Sequence, residues 1–201
     1  ELTRGLHVRF IFAAQSGGMA LSHAALPTIA SPWRRFDARV FRAIGAGHGP
    51  AWLMTFARLL ARWSWLPLLA VVAAVAAQAP AHGALLAVLS LVFAGAVQLV
   101  GKRLARRWQA QRPFVLGLCD NHLGHSARAG FPSSHALVMG AVIGVLLPYT
   151  LNDALLATMS AIAVLTGWAR VHTGAHFPLD VVVGTVIGLL AGLLFGLHLP
   201  F

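Results

Sequence analysis

Three short blocks of this chain carry residue types suited to chemistry on an anion. The richest is Ala169-Arg170-Val171-His172-Thr173-Gly174-Ala175-His176-Phe177-Pro178-Leu179-Asp180. Pro178 suits the first turn of a helix, where its missing N–H costs nothing. That places His176 just before the helix and Asp180 within its first turn. The carboxylate can then fold back to hold one imidazole nitrogen and leave the other to attack. Asp180 alone reads equally well as a favourable helix-start charge. An Arg, a His and an Asp grouped at one membrane boundary are harder to explain that way. The second block, Phe131-Pro132-Ser133-Ser134-His135, opens a helix with a serine cap. The unpaired N–H groups and the helix dipole there favour a phosphate oxygen, although by itself the block is also an ordinary cap. The third block, Arg112-Pro113, offers a guanidinium. Its rigid fork of donors matches phosphate oxygens, while a single arginine at a span end also serves as an interfacial anchor.

The elements that must position these blocks are membrane spans. The 201 residues are 58% hydrophobic and only 10% charged, with a mean hydropathy of +0.76, whereas a soluble domain carries about 25% charged residues. Crossing the hydrocarbon core takes roughly 20 apolar residues. Five stretches qualify, about Trp52–Ala79, Ala84–Leu104, Ser134–Leu147, Ala154–Ala169 and Leu179–Leu199. Arg58 and Arg62 interrupt the first, so its membrane core is expected to begin near Trp63; the third is short and is expected to continue into Tyr149. Pro80 with Gly83, Pro148 with Asn152 and Asp153, and Pro178 separate the spans. Counting crossings puts Arg112 after the second span, Ser133 and His135 at the start of the third, Arg170 and His172 at the end of the fourth, and His176 and Asp180 at the start of the fifth. All of them meet at one membrane face, which predicts a site there.

The remaining features fit around that face. Trp33, Phe36, Val40, Phe41 and Ile44 fall at helical spacing with arginines between them, the pattern of a helix lying in the membrane interface. The segment Arg106–Phe131 is the one long loop, and such loops are usually functional or disordered. Gly and Ala are frequent within the spans, as close helix packing in membranes favours. The formal net charge of +10 suggests anionic partners, meaning lipid headgroups or phosphorylated substrates. Nucleic acid is not expected, because no basic tract interleaved with aromatics is present. The single cysteine, Cys119, excludes an intramolecular disulfide and a cysteine-rich metal site. Residues 1–18 read as a tag or disordered tail, with Met19 a sensible start for a single domain over residues 19–201.

Together the three blocks resemble the type 2 phosphatidic acid phosphatase (PAP2) superfamily. Its pattern is a lysine, six residues and Arg-Pro, then Pro-Ser-Gly-His, then Ser-Arg with five residues to His and three more to Asp. The matching residues are Arg112-Pro113, Pro132-Ser133-Ser134-His135, and Arg170, His176 and Asp180. The resemblance covers roughly Phe36–Leu197. Within the superfamily the chain is most similar to bacterial undecaprenyl diphosphate phosphatases of the bacitracin-resistance type. That likeness rests on Arg112-Pro113-Phe114-Val115, the short loop to Phe131-Pro132-Ser133, the non-glycine before His135, and His176-Phe177-Pro178-Leu179-Asp180. It departs from the pattern at Ala105, where the lysine is expected, at Ser134 in place of glycine, and at Ala169 in place of serine. Lys102, one helical turn earlier, and Arg106, one residue later, are the candidates to supply the displaced charge.

The resemblance implies an all-α, polytopic membrane helical bundle of PAP2/haloperoxidase-like fold, with five to six transmembrane helices and an N-terminal interfacial helix. It implies that His176 attacks the terminal phosphorus and forms a phosphohistidine, that Asp180 orients the imidazole, and that His135 protonates the leaving oxygen and then activates water. Arg112, Arg170, Ser133 and Ser134 would hold the phosphate oxygens, with Arg106 or Lys102 as a further contact. No metal or cofactor is expected, since guanidinium and amide groups can neutralise the phosphate charge. The implied substrate is a lipid diphosphate such as undecaprenyl diphosphate; another lipid phosphate (phosphatidylglycerol phosphate, phosphatidate or lipid A) fits the same residues. A non-catalytic lipid-phosphate carrier would need the arginines but not the His–Asp pair. A metal or haem site built from His122, His125, His172 and His176 would leave Arg112, Arg170 and Asp180 unexplained. The resemblance places the chain in a bacterial cytoplasmic membrane with its site outward. The loops at the other face lack Lys and Arg, so the positive-inside rule alone points the opposite way.

Overall fold

A computed structural model describes residues 31–78, 81–127, 129–150 and 152–200. The tail expected over residues 1–18, Met19 and the breaker Pro80 lie outside the described residues. Among the described residues seven α-helices follow one another: α1 Pro32–Ala43, α2 Ala51–Trp63, α3 Trp65–Ala77, α4 Gly83–Trp108, α5 Ser134–Leu146, α6 Asp153–His172 and α7 Pro178–Leu197. Short 3₁₀ turns lie at Pro113–Leu116 and Leu147–Tyr149.

The first expected span is two helices rather than one. α2 and α3 meet at Ser64 with a bend of 48°. Pro67 sits in the first turn of α3. It lacks the N–H that would reach the Trp63 carbonyl, and its ring crowds that carbonyl, which breaks a helix there. α2 is amphipathic, with Ala57 and Ala61 packed near Ala169 at the end of α6. α3 carries Leu68, Val71, Val72 and Val75 into the main core. The helix break thus falls next to Trp63, the residue near which the membrane core of this segment is expected to begin.

α4, α6 and α7 are long and apolar enough to cross a membrane, and the bent α2–α3 pair, counted as one span, brings the number to four. α5, continued by its 3₁₀ turn to Tyr149, is a shorter apolar helix. The expected count of five to six is therefore not reached by length and composition alone. At ~1.5 Å per residue, the 13 residues of α5 span ~20 Å, less than the ~30 Å of a bilayer core. α5 tolerates this because it is wrapped by its neighbours: every residue from Ala136 to Leu146 except Val138 is buried. With Leu86 and Ala94 of α4 and Met159 of α6, its side chains form the main core.

Backbone packing of α5 on α7 sets the geometry of the site end. Gly184, Gly188, Gly192 and Gly196 recur every fourth residue along α7 and face α5. A Cβ on Gly188 would sit 2.1 Å from the Leu137 carbonyl oxygen, so only glycine admits this approach. At the top of the pair, the Ser133 N–H donates to the Asp180 carbonyl at 2.9 Å. The N-termini of the two helices are thereby tied side by side.

α1 is amphipathic, as expected, but it docks by a different face. Arg34, Asp37, Ala38 and Phe41 point inward, while Trp33, Phe36 and Ile44 are exposed. Phe41 meets Phe177 edge-on at 5.7 Å. The aromatic residues are left for the bilayer interface, together with exposed Arg35, Arg39 and Arg42.

Candidate active site

The C-terminal end of α4, the N-termini of α5 and α7, and the C-terminal end of α6 all lie at one end of the bundle, as the count of crossings required. His176 stands in the turn between α6 and α7. Gly174 makes that turn with φ +72° and passes so near Cys119 that a Cβ there would overlap its sulfur. The N–H groups of Ala175 and His176 donate to the Arg170 carbonyl at 3.1 and 3.2 Å. Thr173 Oγ1 donates to the Ala169 carbonyl at 2.7 Å. The imidazole is thus fixed by backbone bonds on both sides and is only 2% exposed.

The two ring nitrogens of His176 face different partners. Nδ1 lies 2.8 Å from the Gly130 carbonyl oxygen, an acceptor that requires the proton on Nδ1. Nε2 then carries the lone pair. It lies 3.3 Å from Arg112 Nη1 and 3.5 Å from Arg170 Nη2. Burial, followed by the charges of Arg170 and Arg112, holds His176 well below the ordinary histidine range. The ring is therefore neutral at neutral pH, which an attacking nitrogen must be.

Arg112 is itself held, with Nη1 donating to the Ala175 carbonyl at 2.7 Å and Nη2 to the Ala129 carbonyl at 3.5 Å. Two guanidinium groups thus flank one nucleophilic nitrogen, which makes a place for an anion. Ser133 supports the same reading. It stands at the N-cap of α5, yet its hydroxyl caps nothing: Ser133 Oγ, His135 Nδ1 and Arg170 Nε are buried polar atoms without a hydrogen-bond partner. Buried polar atoms are normally satisfied, and three of them around one histidine suit a group with many acceptors and a proton to exchange. His135 feels the charges of Arg170, His176 and Arg112. A cavity of about 470 Å³ opens beside them, lined by Lys102, Ala105, Arg106, Arg112, Ser134 and His176 among others.

Asp180 departs from the arrangement read from spacing. Its Oδ2 accepts the Phe177 N–H at 2.9 Å and lies 3.8 Å from His176 Nδ1. That is beyond hydrogen-bond reach, and the Gly130 carbonyl holds the place expected for the carboxylate. The reason is local: Asp180 is the third residue of α7 and folds back to satisfy the orphan N–H at the helix start. Lys102 and Arg106 both reach the cavity as exposed side chains. Lys102 Nζ lies 3.4 Å from Gln98 Oε1 on its own helix.

Two residues near the site were not assigned a part in it from sequence. His125, in the long loop, places Nε2 2.9 Å from Arg170 Nη2. Burial first, then Arg170, Arg112 and Arg62, lower its pKa to about 4. It is thus a neutral acceptor resting on Arg170. Arg34 of α1 places Nη1 2.8 Å from Asp180 Oδ1. Only the length of the loop hinted at the first, and nothing in residue spacing hinted at the second. Of the histidines weighed as metal ligands, His125 and His176 both meet Arg170, whereas His122 Nε2 lies 3.1 Å from the Gly47 carbonyl; among the described residues no three His, Cys, Asp or Glu side chains are grouped to hold a metal ion.

A helical membrane bundle whose arginines flank a buried, neutral histidine at the mouth of paired helix N-termini has known counterparts. Residues 83–198, more than half of the chain, match the PAP2 superfamily, and the chain belongs to it. A protein of Escherichia coli (strain K12) named as an undecaprenyl-diphosphatase, YbjG, is 33% identical over 99 residues, which is 48% of this chain and 49% of that protein. The chain thus spans about half the length of this curated relative. Among solved structures, the transmembrane PAP2-type phosphatidylglycerolphosphate phosphatase from Bacillus subtilis superposes with a TM-score of 0.63 at 23% identity, covering 83% of this chain and 86% of that one. LpxE of Aquifex aeolicus gives 0.61 at 24% identity, covering 80% and 94%. These two likenesses concern the fold: the chain is a multi-pass membrane helical bundle of PAP2 architecture.

Proposed function

We propose that this chain hydrolyses the terminal phosphate of a membrane lipid phosphate, with undecaprenyl diphosphate as its substrate, through a phosphohistidine. The observation that carries the reading is the setting of His176, with its Nδ1 proton on the Gly130 carbonyl and its Nε2 lone pair between Arg112 and Arg170. In the first step the Nε2 lone pair bonds to the terminal phosphorus, and the bond from phosphorus to the bridging oxygen breaks. His135 gives its proton to that oxygen. Arg112, Arg170, the Ser133 hydroxyl, Ser134 and the free amides at the start of α5 hold the other phosphate oxygens, so charge is neutralised by fixed donors. In the second step His135 takes a proton from water, the water oxygen bonds to phosphorus, and the N–P bond breaks. The Asp180 carboxylate, 3.8 Å from Nδ1, stabilises the positive charge that the ring carries in between.

The choice of undecaprenyl diphosphate is supported by the relative named as an undecaprenyl-diphosphatase and by the motif details around Arg112 and His176. The structural neighbours are named for phosphatidylglycerolphosphate phosphatase and LpxE, so the test is a panel. Purified protein in detergent, with excess EDTA present, is given undecaprenyl diphosphate, phosphatidylglycerol phosphate, phosphatidate and a lipid A phosphate. Phosphate release should be fastest from undecaprenyl diphosphate. A faster rate on another member reassigns the substrate, and release from none of them removes the enzymatic reading. The site is proposed to face outward from a bacterial cytoplasmic membrane, where the product carrier lipid would be recycled for envelope synthesis.

A further inference from the structure

Arg34 lies on α1, outside residues 83–198 that match the superfamily. Its side chain is 8% exposed. Nη1 lies 2.8 Å from Asp180 Oδ1 and 3.4 Å from Asp37 Oδ2; the first contact is ionic rather than an aligned hydrogen bond, since Oδ1 has no hydrogen-bond partner. The guanidinium lies 4.3 Å from the Trp33 ring centre, 5.0 Å from that of Phe177 and 5.8 Å from that of Phe131, an aromatic setting that favours the flat, weakly hydrated guanidinium over an ammonium. Asp37 completes the clasp by accepting the Leu179 N–H at 3.0 Å. Burial raises the Asp37 pKa to about 6, and Asp180 nearby adds to the rise, against the Leu179 bond and Arg34. Two buried carboxylates from different helices therefore share one guanidinium. A buried acid left without its cation is strongly destabilised.

The consequence reaches His176. Asp180 has two oxygens with divided duties: Oδ2 caps Phe177 N–H and faces His176 Nδ1, while Oδ1 faces Arg34. With Oδ1 anchored, the carboxylate cannot turn Oδ2 away from the imidazole. We propose that Arg34 is a positioning residue for the reaction, holding Asp180 against His176 from the interfacial helix. This rests on the reading of His176 as nucleophile. The contacts of the guanidinium are with Asp180 and Asp37. Arg34 therefore acts on the step in which His176 takes up charge, and substrate affinity is left to Arg112 and Arg170.

The test compares wild type, Arg34→Met and Arg34→Lys, as the whole chain in detergent on whichever lipid phosphate of the panel wild type hydrolyses fastest. Rates are normalised to folded protein, and formation and hydrolysis of the phosphohistidine are followed separately in single-turnover reactions. Arg34→Met should lower kcat roughly 10-fold or more, the scale of a charge-assisted contact, with KM within about twofold and with phosphohistidine formation slowed in proportion. Arg34→Lys, which keeps the charge but not the fork, should fall between the two, at least about threefold below wild type. Folded Arg34→Met with wild-type kcat, or with a raised KM and unchanged kcat, overturns the inference. Should Arg34→Met not fold, Arg34→Lys decides: a lowered kcat at unchanged KM supports the role and wild-type kcat overturns it. An inactive wild type would overturn the proposed function and this role with it, whereas an active wild type beside an unaffected variant overturns the role alone.

Discussion

At the scale of single residues, the proposed reaction asks different roles of two histidines, and the structure gives them different partners. His176 is buried, neutral and oriented by a carbonyl, and His135 keeps a buried nitrogen without a protein partner. Removing the proposed nucleophile should abolish turnover while leaving the helices intact. His176→Ala is expected to lower kcat by on the order of 10³ or more, measured as phosphate release per folded molecule. Near-normal release would take His176 out of the reaction. The lysine expected at Ala105 poses a second question at this scale. Lys102 and Arg106 are spaced i, i+4 on α4 and line the same cavity. Arg106 lies nearer the loop, and Arg106→Ala should raise KM or lower kcat roughly 10-fold, the value of one charge-assisted bond at ~1.5–3 kcal/mol. Lys102→Ala should change less. If neither variant moves kcat/KM by more than about twofold, or ~0.4 kcal/mol, both arginine and lysine serve only to anchor α4 in the interface.

At the scale of elements, the α5–α7 pair is the frame on which the chemistry hangs. Ser133 and His135 ride on α5 and Asp180 on α7, so their separation is set by how closely two backbones approach at glycines. Gly188→Ala would place a methyl against the Leu137 carbonyl. We expect it to lower the unfolding temperature in detergent, at a cost of about 1–3 kcal/mol, and to lower kcat as the helix N-termini part. Gly95→Ala on α4 is the matched control. Its Cβ would meet nothing within 4 Å, so it should be neutral or slightly stabilising through helix propensity. Equal effects of the two substitutions would show that helix propensity, and not the backbone approach, controls this frame. The break between α2 and α3 has a similarly local cause in Pro67, and it lets α2 lie at the site end, against Ala169, while α3 enters the core.

At the scale of the whole molecule, the distribution of charge bears on which side of the membrane the site faces. Basic residues gather at the site end: Arg35, Arg39 and Arg42 on α1, and Lys102, Arg103, Arg106 and Arg107 at the end of α4. Counted as topology signals they would draw that end into the cytoplasm. Lys102 and Arg106 line the cavity, and a residue recruited to an anion site is a weaker topology reporter. We expect intact spheroplasts to hydrolyse a membrane-impermeant, short-chain lipid phosphate supplied from outside at nearly the rate seen after lysis. Hydrolysis that begins only on lysis would place the site inward.

Much of this was legible in the residues alone. Apolar run lengths determined an all-helical membrane bundle, and counting crossings brought Arg112, Ser133, His135, Arg170, His176 and Asp180 to one end, because a helix of given length must emerge on a known side. Pro178 determined where α7 starts, because its missing N–H is harmless only in a first turn. What spacing could not determine was which atoms meet. The Gly130 carbonyl on His176 Nδ1, the turn of Asp180 toward its own helix N-terminus, and His125 on Arg170 depend on how a long loop folds back over the bundle, and a loop has no periodicity to read. The inward face of α1 was decided the same way: its pattern showed apolar residues at helical spacing, yet Arg34 and Asp37 turn inward because Asp180 and the Leu179 N–H are there to receive them. A buried charge takes its position from its partner, and partners distant in the chain become neighbours only once the fold is made.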